Sequence, residues 1–341
     1  MKYSILVILA LLFASCSKED NAKGDTSAIA ISASIEESAT KAVVSGTSFK
    51  DGNSLGMFIY HDEQSVPLQH FTPYGERYRN IRTTYKNISG WSYRFDGSNT
   101  SFDYIYLIKP TEAPYKEGLA IYSYAPWIEG CTDIQSIPVT IGGDSKTVTD
   151  IMWAQENNTA ANASIIPDGQ QKNVKFTFRH GLAMLNIVLK CKHNVTEMKV
   201  SSITLRKKDN GTTQLYKTGR FNAVTGTFAH ENSDEAESVT TSYVNEDYRF
   251  TQTTANVPFL IFPVDNYATD GDYIIEFEFN GVALGEKYHI KKDDLKVNGE
   301  YKLKQGYSYT FNFTFNNYLQ IDDVNVNVSD QWPVKQHELL F

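Results

Sequence analysis

The sequence predicts an all-β protein with few short helices. Three observations support this: strict alternation of apolar and polar residues, a high aromatic content (13%), and tight-turn dipeptides between the alternating segments. Tyrosine and phenylalanine suit the pleated, half-buried surface of a strand. No long stretch repeats apolar residues at the helical period, so we expect only short helices, near residues 134–138 and 291–295.

The alternation is clearest in three segments, residues 174–178, 273–279 and 307–315. In the last of these every second residue is aromatic, and the residues between them are polar. A period of two with one polar face is typical of strands that are buried on one side, as in a β-sandwich. Turn pairs such as Asn280-Gly281 and Asn298-Gly299 fit tight hairpins, because Asn and Gly tolerate positive φ.

The N-terminus has the layout of a secretory signal peptide over residues 1–15: a basic start, a short apolar run and small residues before Cys16. The segment Leu12-Phe13-Ala14-Ser15-Cys16 resembles a bacterial lipobox, which implies cleavage before Cys16 and lipidation of that residue. Residues 16–28 are polar and predict a lipidated, flexible tether. Residues 17–20 resemble an acidic tag for export to the outer face of the outer membrane, and a plain charged linker is the alternative.

Length and charge limit the domain organisation and the partners that the remaining chain can have. Its 341 residues suffice for two domains, and a polar turn after Cys191 predicts one domain at 29–193 and another at 194–341. The net charge of -8 argues against nucleic acid as a partner, since nucleic-acid binding needs a basic patch. Nothing after the signal peptide is long and apolar enough for a transmembrane helix.

The sequence contains no recognisable catalytic or metal-binding motif, and we expect neither an enzyme nor a cofactor. None of the seven histidines has metal-ligand spacing, and His180 is interpreted as a structural, hydrogen-bonded residue. Export permits a disulfide between Cys131 and Cys191, but the sequence leaves their pairing open. Trp91, Trp127 and Trp153 are expected to pack in cores, with a sugar-binding platform as the alternative.

Several segments in order resemble the fimbrillin-like family, whose members are pilus subunits made from lipoprotein precursors in Bacteroides-type bacteria. No single segment is specific, but their order is, and it spans nearly all of the chain after the tether. Two departures, Asn53 and Gly181, stand where the family has an acidic residue and Ala. The segments are residues 40–42, 49–58, 120–127, 150–154, 178–183, 259–263 and 307–311, together with Trp91 and Trp332.

The resemblance implies two tandem transthyretin-like β-sandwich domains and a structural or adhesive subunit of a cell-surface fimbrium. It also implies export as an outer-membrane lipoprotein, proteolytic removal of an N-terminal strand, and assembly when a strand of another subunit fills the gap. The implied partners are other fimbrial subunits, the outer membrane through the lipid on Cys16, and host or bacterial surface receptors. The alternative is a monomeric outer-membrane lipoprotein that binds surface glycans.

Two segments have the pattern that such an exchange needs. Near the tether, Ile29, Ile31, Ala33 and Ile35 share one face; near the C-terminus, Val324, Val326 and Val328 do the same. Either segment can line the same apolar groove and satisfy the same backbone ladder, so the first predicts the exchanged strand and the second the donor strand. The alternative is that both are ordinary strands of their own domains.

Release of the first strand requires a cut behind it. Residues 36–42 are small and polar, as protease-sensitive loops are. Lys41 is the first basic residue after the strand, so a trypsin-like enzyme is predicted to cut between Lys41 and Ala42. A plain connecting loop is the alternative.

Overall fold

The computed structural model describes residues 30–35, 49–61, 79–94, 119–154, 163–164, 173–193, 197–330 and 332. Within these residues the all-β prediction is confirmed, and the helices are two 3-10 turns, Asn232–Asp234 and Lys292–Leu295. The second turn lies where a short helix was predicted. The helix predicted at residues 134–138 is wrong, because Ile137 and Val139 alternate with exposed Pro138 and Thr140 in a strand.

The strands are numbered in chain order. They are β1 (Ala30–Ile35), β2 (Ser54–His61), β3 (Ile81–Lys86), β4 (Gly90–Arg94), β5 (Leu119–Ala125), β6 (Ile137–Thr140), β7 (Gly143–Asp144), β8 (Met152–Ala154), β9 (Ala163–Ser164), β10 (Asn173–His180), β11 (Ala183–Cys191), β12 (Met198–Lys207), β13 (Thr218–Asn222), β14 (Thr227–Ala229), β15 (Ser238–Ser242), β16 (Arg249–Phe250), β17 (Ala255–Ile261), β18 (Tyr273–Phe279), β19 (Val282–His289), β20 (Lys296–Val297), β21 (Glu300–Tyr301), β22 (Ser308–Phe315) and β23 (Ile321–Ser329).

Most of these strands form three larger sheets. The first has eight strands in the order β1-β10-β8-β5-β2-β3-β4, with β9 beside β5. The second has the order β17-β11-β22-β23, and the third the order β19-β18-β12-β15-β7, with β16 beside β12. Two small sheets, β14-β13-β6 and β20-β21, complete the described part of the chain. Pairing is antiparallel except for β1 with β10, β11 with β22, and β15 with β7.

Successive side chains of a strand point to opposite faces of the sheet, and apolar residues on both faces form two cores. Leu55, Met57 and Ile59 of β2 belong to a smaller core on one face of the eight-stranded sheet. Phe58 and Tyr60 of the same strand belong to a larger core, which also contains the buried residues of the four- and six-stranded sheets. The central strands of the eight-stranded sheet are therefore buried on both faces, which ties this sheet to the C-terminal half of the chain.

The chain passes between the sheets at a very short junction. Only Gly181 and Leu182 separate β10 of the eight-stranded sheet from β11 of the four-stranded sheet. The Gly181 N–H donates to the carbonyl of Ile151 at 2.6 Å, and a Cβ at this position would lie 2.5 Å from that oxygen. Close approach of two backbones thus requires glycine here.

Strand pairing does not follow the predicted boundary between residues 193 and 194. β11 lies before that boundary, yet its hydrogen-bonding neighbours β17 and β22 lie after it. β6 and β7 likewise pair with β13 and β15. The polar turn after Cys191 marks the end of β11, and a division of the chain into two domains stays a prediction.

Candidate strand-exchange interface

The first strand, β1, lies at one end of the eight-stranded sheet. Among the described strands it is hydrogen-bonded only to β10, with Ala30 opposite Asn173 and Ile35 opposite Phe178 in a parallel register. An end strand is held by one backbone ladder, whereas a central strand is held by two. β1 can therefore leave the sheet without separating other strands from each other.

The apolar side chains of β1 face the smaller core. Ile35 is 4% exposed, and Ile31 and Ala33 are half-buried against the same core, while Ser32 is exposed. Burial of each isoleucine stabilises the fold by roughly 1.5–3 kcal/mol. The face predicted from the sequence is thus the face that the structure buries.

β10 depends on β1 for much of its own pairing. β8 pairs with β10 only from Phe178 to His180, so residues 173–177 have β1 as their one neighbour among the described strands. Val174 and Phe176 are almost fully buried. Removal of β1 would leave their backbone groups unpaired and expose their side chains, which favours the entry of a replacement strand.

Aromatic rings of the smaller core connect β10 and β4, the two strands next to β1. β4, the other end strand of the sheet, lies close to β1. The ring of Phe49 meets Trp91 of β4 edge-on, with centroids 5.0 Å apart, and meets Phe178 of β10 at 5.5 Å. These three rings connect β10 to β4 across the core, so without β1 they would form the floor of an apolar groove between the two strands.

β23, the predicted donor, is the end strand of the four-stranded sheet. It forms an antiparallel ladder with β22 from Ser329 opposite Ser308 to Ile321 opposite Phe315. Val324, Val326 and Val328 are half-buried against the larger core, and Asn325 and Asn327 are exposed. Among the described strands nothing pairs with its outer edge. In this chain β23 completes its own sheet, with its valines less deeply buried than Ile35.

A buried polar pair lies where β10 ends. His180 Nδ1 is 2.6 Å from Asp150 Oδ2, and the Leu182 N–H donates to Asp150 Oδ1 at 3.1 Å. Burial raises the pKa of Asp150, and the hydrogen bond with His180 opposes that rise. Trp332, which follows β23, stacks on the His180 ring. The end of β10 and the segment after β23 are therefore in direct contact, and His180 is hydrogen-bonded as expected.

The model of the fimbrillin-like family matches residues 40–332, which is most of the chain. The chain belongs to the fimbrillin-like family.

Solved structures resemble this fimbrillin-like chain in fold. A Bacteroides ovatus protein, described with a proposed role in cell adhesion, is 18% identical with a TM-score of 0.54, covering 89% of this chain and 95% of its own. A Bacteroides uniformis protein of the same description is 16% identical with a TM-score of 0.52, covering 83% and 93%. At this identity the likeness establishes the fold alone. None of the curated proteins matches the chain.

Family membership supports a pilus-type adhesion subunit at the cell surface. The family consists of fimbrial structural and adhesion proteins and is not a family of enzymes. It also indicates interaction with other pilus subunits.

Several predicted site residues lie outside the described residues. These are Cys16, Ile29, Lys41 and Ala42. No described helix is long and apolar enough to cross a membrane. In the described part of the chain, no three His, Cys, Asp or Glu side chains are grouped in a way that could hold a metal ion.

The cysteines and tryptophans belong to the packing of the fimbrillin-like fold. Cys131 and Cys191 are free and buried, and burial raises the pKa of both thiols. Trp91 packs against the smaller core, and Trp153 is 6% exposed with its ring edge-on to Phe221. Trp127 donates from Nε1 to the Asn80 carbonyl at 3.1 Å.

Sequence reasoning missed three residues of this interface: Phe49, Asp150 and Trp332. All three belong to segments that resemble the family, but the sequence assigns them no role in the interface. Asp150 carried a usable signal, because an acid directly before an apolar segment needs a partner when it is buried. The sequence offered His180 at the end of another strand, but it gave no means of pairing residues 30 positions apart.

Proposed function

We propose that the protein is a subunit of a fimbrium that assembles by strand exchange. In this mechanism it is exported as an outer-membrane lipoprotein through Cys16, folds as two transthyretin-like β-sandwich domains, and is cut between Lys41 and Ala42. β1 then leaves, and a strand from another subunit takes its place beside β10.

The observation that supports this proposal is the position of β1. It is an end strand with one ladder, yet it carries Ile31, Ala33 and Ile35 into the core. Such a strand can be removed, because only one of its edges is hydrogen-bonded. Its removal costs free energy unless another strand replaces it, because the apolar core would be exposed to water.

β23 is the proposed donor. Val324, Val326 and Val328 recur at the same spacing as Ile31, Ala33 and Ile35, so either set can face Val174, Phe176 and Phe178. To act as a donor, β23 must leave β22 of its own chain. Its valines are half-buried there, so each loses less on leaving than a fully buried side chain would.

The first test is brief trypsin digestion of lipid-free protein that begins at residue 17, followed by size-exclusion chromatography and intact mass. The expected result is loss of residues up to Lys41 together with a ladder of oligomers. Lys41→Ala should block both, and Lys50→Ala, at an exposed lysine nearby, should block neither. A clean cut after Lys41 that leaves only monomers would refute the proposal.

A peptide tests the donor separately. A synthetic peptide of residues 321–330, added before trypsin, should occupy the groove and suppress the ladder. A peptide in which the three valines are aspartate should have no effect, because charged side chains cannot enter the apolar groove. Suppression by neither peptide, with a ladder still forming after cleavage at Lys41, would mean that another segment is the donor.

A further inference from the structure

A cavity of about 1140 Å³ lies at the end of β10, beyond the residues of β10 that face β1. Its walls come from the ends of β8 and β10, the β13–β14 hairpin, and the segments that precede β22 and follow β17. The floor consists of three buried residues, Trp153, His180 and Gly226. The rim includes three exposed residues, Thr225, Thr227 and Asn266. Sites for small molecules usually measure roughly 300–1,000 Å³, so this cavity has room for a ligand of several rings.

One wall is a stack of near-parallel rings. Tyr216 lies on His230 with ring centroids 3.8 Å apart and planes at 5°, and the Phe228 centroid lies 6.0 Å from that of His230 with planes at 16°. All three side chains are half-buried and line the cavity. Tyr307 adds a fourth half-buried ring, over which Lys304 Nζ lies at 4.3 Å from the centroid.

The stacked wall is uncharged at neutral pH. Burial lowers the pKa of His230, so its imidazole is neutral. The ring N–H at Nδ1 donates to the Thr218 carbonyl at 3.0 Å, which leaves Nε2 as a hydrogen-bond acceptor. The wall thus combines apolar ring surface with an acceptor atom.

The remaining lining is mostly polar and neutral. Thr212, Gln214, Thr225, Thr227, Asn266 and Gln305 contribute hydroxyl and amide groups. The hydroxyls of Thr225 and Thr227 are 2.7 Å apart at the rim. The Gln305 amide, oriented to donate to Gly226 O at 3.0 Å and to accept from Trp153 Nε1 at 3.3 Å, fixes the floor.

The charged lining residues favour neither an anion nor a cation. Arg179, Lys302 and Lys304 are balanced in part by Asp265 and Asp330, and Lys302 is paired with Glu300. An apolar ligand would leave the hydroxyls and amides without partners, which is costly. The lining therefore suits a ligand that offers both hydroxyl groups and apolar C–H faces.

We infer that this cavity binds a short neutral oligosaccharide. Sugar rings present hydroxyls around their edges and C–H groups on their faces. The hydroxyls match the amides and hydroxyls of the lining, and the C–H faces match the half-buried aromatic surface of Tyr216, Phe228 and Tyr307. The inference goes beyond the proposed assembly mechanism and does not rest on it, because none of the described lining residues belongs to β1. It would give the subunit a contact with surface glycans.

The test uses the lipid-free, uncut monomer on a printed array of neutral, sialylated and sulfated oligosaccharides, with calorimetry on the sugars that bind. We expect binding to neutral sugars, and Tyr307→Ala should weaken it about tenfold through loss of one aromatic contact. Thr227→Trp, at an exposed rim position that tolerates a large side chain, should abolish binding without unfolding the protein.

Tyr318→Ala is the matched control, since Tyr318 is 84% exposed and does not line the cavity. Binding that survives Thr227→Trp would place the sugar elsewhere and overturn the inference. An array without signal for neutral sugars, or with signal for sulfated sugars alone, would overturn it too. Since no protease is used, either result leaves the assembly mechanism untouched.

Discussion

The imidazole of His180 lies flat against the indole of Trp332, with ring centroids 3.8 Å apart and planes at 8°. His180 is the last residue of β10, which pairs with β1, and Trp332 follows β23. The strand that pairs with β1 and the segment that follows β23 are therefore in contact within one chain, although β1 and β23 belong to different sheets.

We predict that Trp332→Ala lowers the free energy of unfolding by about 3 kcal/mol, because a 5% exposed indole is removed from the core. Urea denaturation followed by circular dichroism measures this. Tyr318→Ala, which removes an exposed ring, should change the same quantity by less than about 0.5 kcal/mol. Equal midpoints for the two variants would mean that the stack does not stabilise the fold.

The two faces of β1 should differ sharply in tolerance to charge. Ile35→Asp should destabilise the uncut protein by roughly 3 kcal/mol or more, because it places a carboxylate in the smaller core. Ser32→Asp, on the exposed face, should stay within about 0.5 kcal/mol of the parent. Thermal melts of both variants measure the difference.

A second measurement on the same pair tests the exchange itself. After cleavage at Lys41, residue 35 is lost with β1, so the polymer formed from Ile35→Asp should melt like the parent polymer. A polymer that stays destabilised would show that residue 35 remains in the assembled fibre.

Two substitutions in β23 test whether the valine face, rather than the strand as a whole, is needed for assembly. Val326→Asp should abolish the oligomer ladder after trypsin and lower the stability of the monomer by about 1–2 kcal/mol, since Val326 is half-buried. Asn327→Asp adds the same charge to the exposed face and should leave both properties unchanged. Chromatography after cleavage provides the readout, and loss of the ladder in both variants would contradict a role for the valine face.

His230 should make stability depend on pH. Burial lowers its pKa below the ordinary value of 6.5, so the unfolded chain binds more protons than the folded chain between those two pKa values. Stability should therefore fall as the pH drops from 7.5 through 6.5 toward 5.5. His230→Gln should remove that part of the slope in urea midpoints, and an unchanged slope would assign it to other groups.

The aromatic content and the alternation of apolar and polar residues were enough to predict an all-β fold. The alternation in residues 273–279 and 307–315 distinguishes the buried face of β18 and β22 from the half-buried face. It also gave the core-facing side of β1, because Ile31, Ala33 and Ile35 follow the same rule. These are local patterns, and local patterns determine which side of a strand is apolar.

Pairing between distant strands could not be predicted from the sequence. Nothing local indicates that β11 pairs with β22 more than 100 residues later. The short helix expected at residues 134–138 is wrong because the pairing of β6 with β13 overrides the local preference. The cavity arises only where both halves of the chain meet, and no segment on its own predicts it.

The two-residue junction between β10 and β11 has a mechanical consequence. Tension that enters along β10 passes through Gly181 and Leu182 into β11, which is gripped by β17 on one side and β22 on the other. A strand held along both edges and pulled lengthwise must break many hydrogen bonds together rather than one after another. Force is therefore transmitted directly from β10 to β11, because only two residues separate these strands.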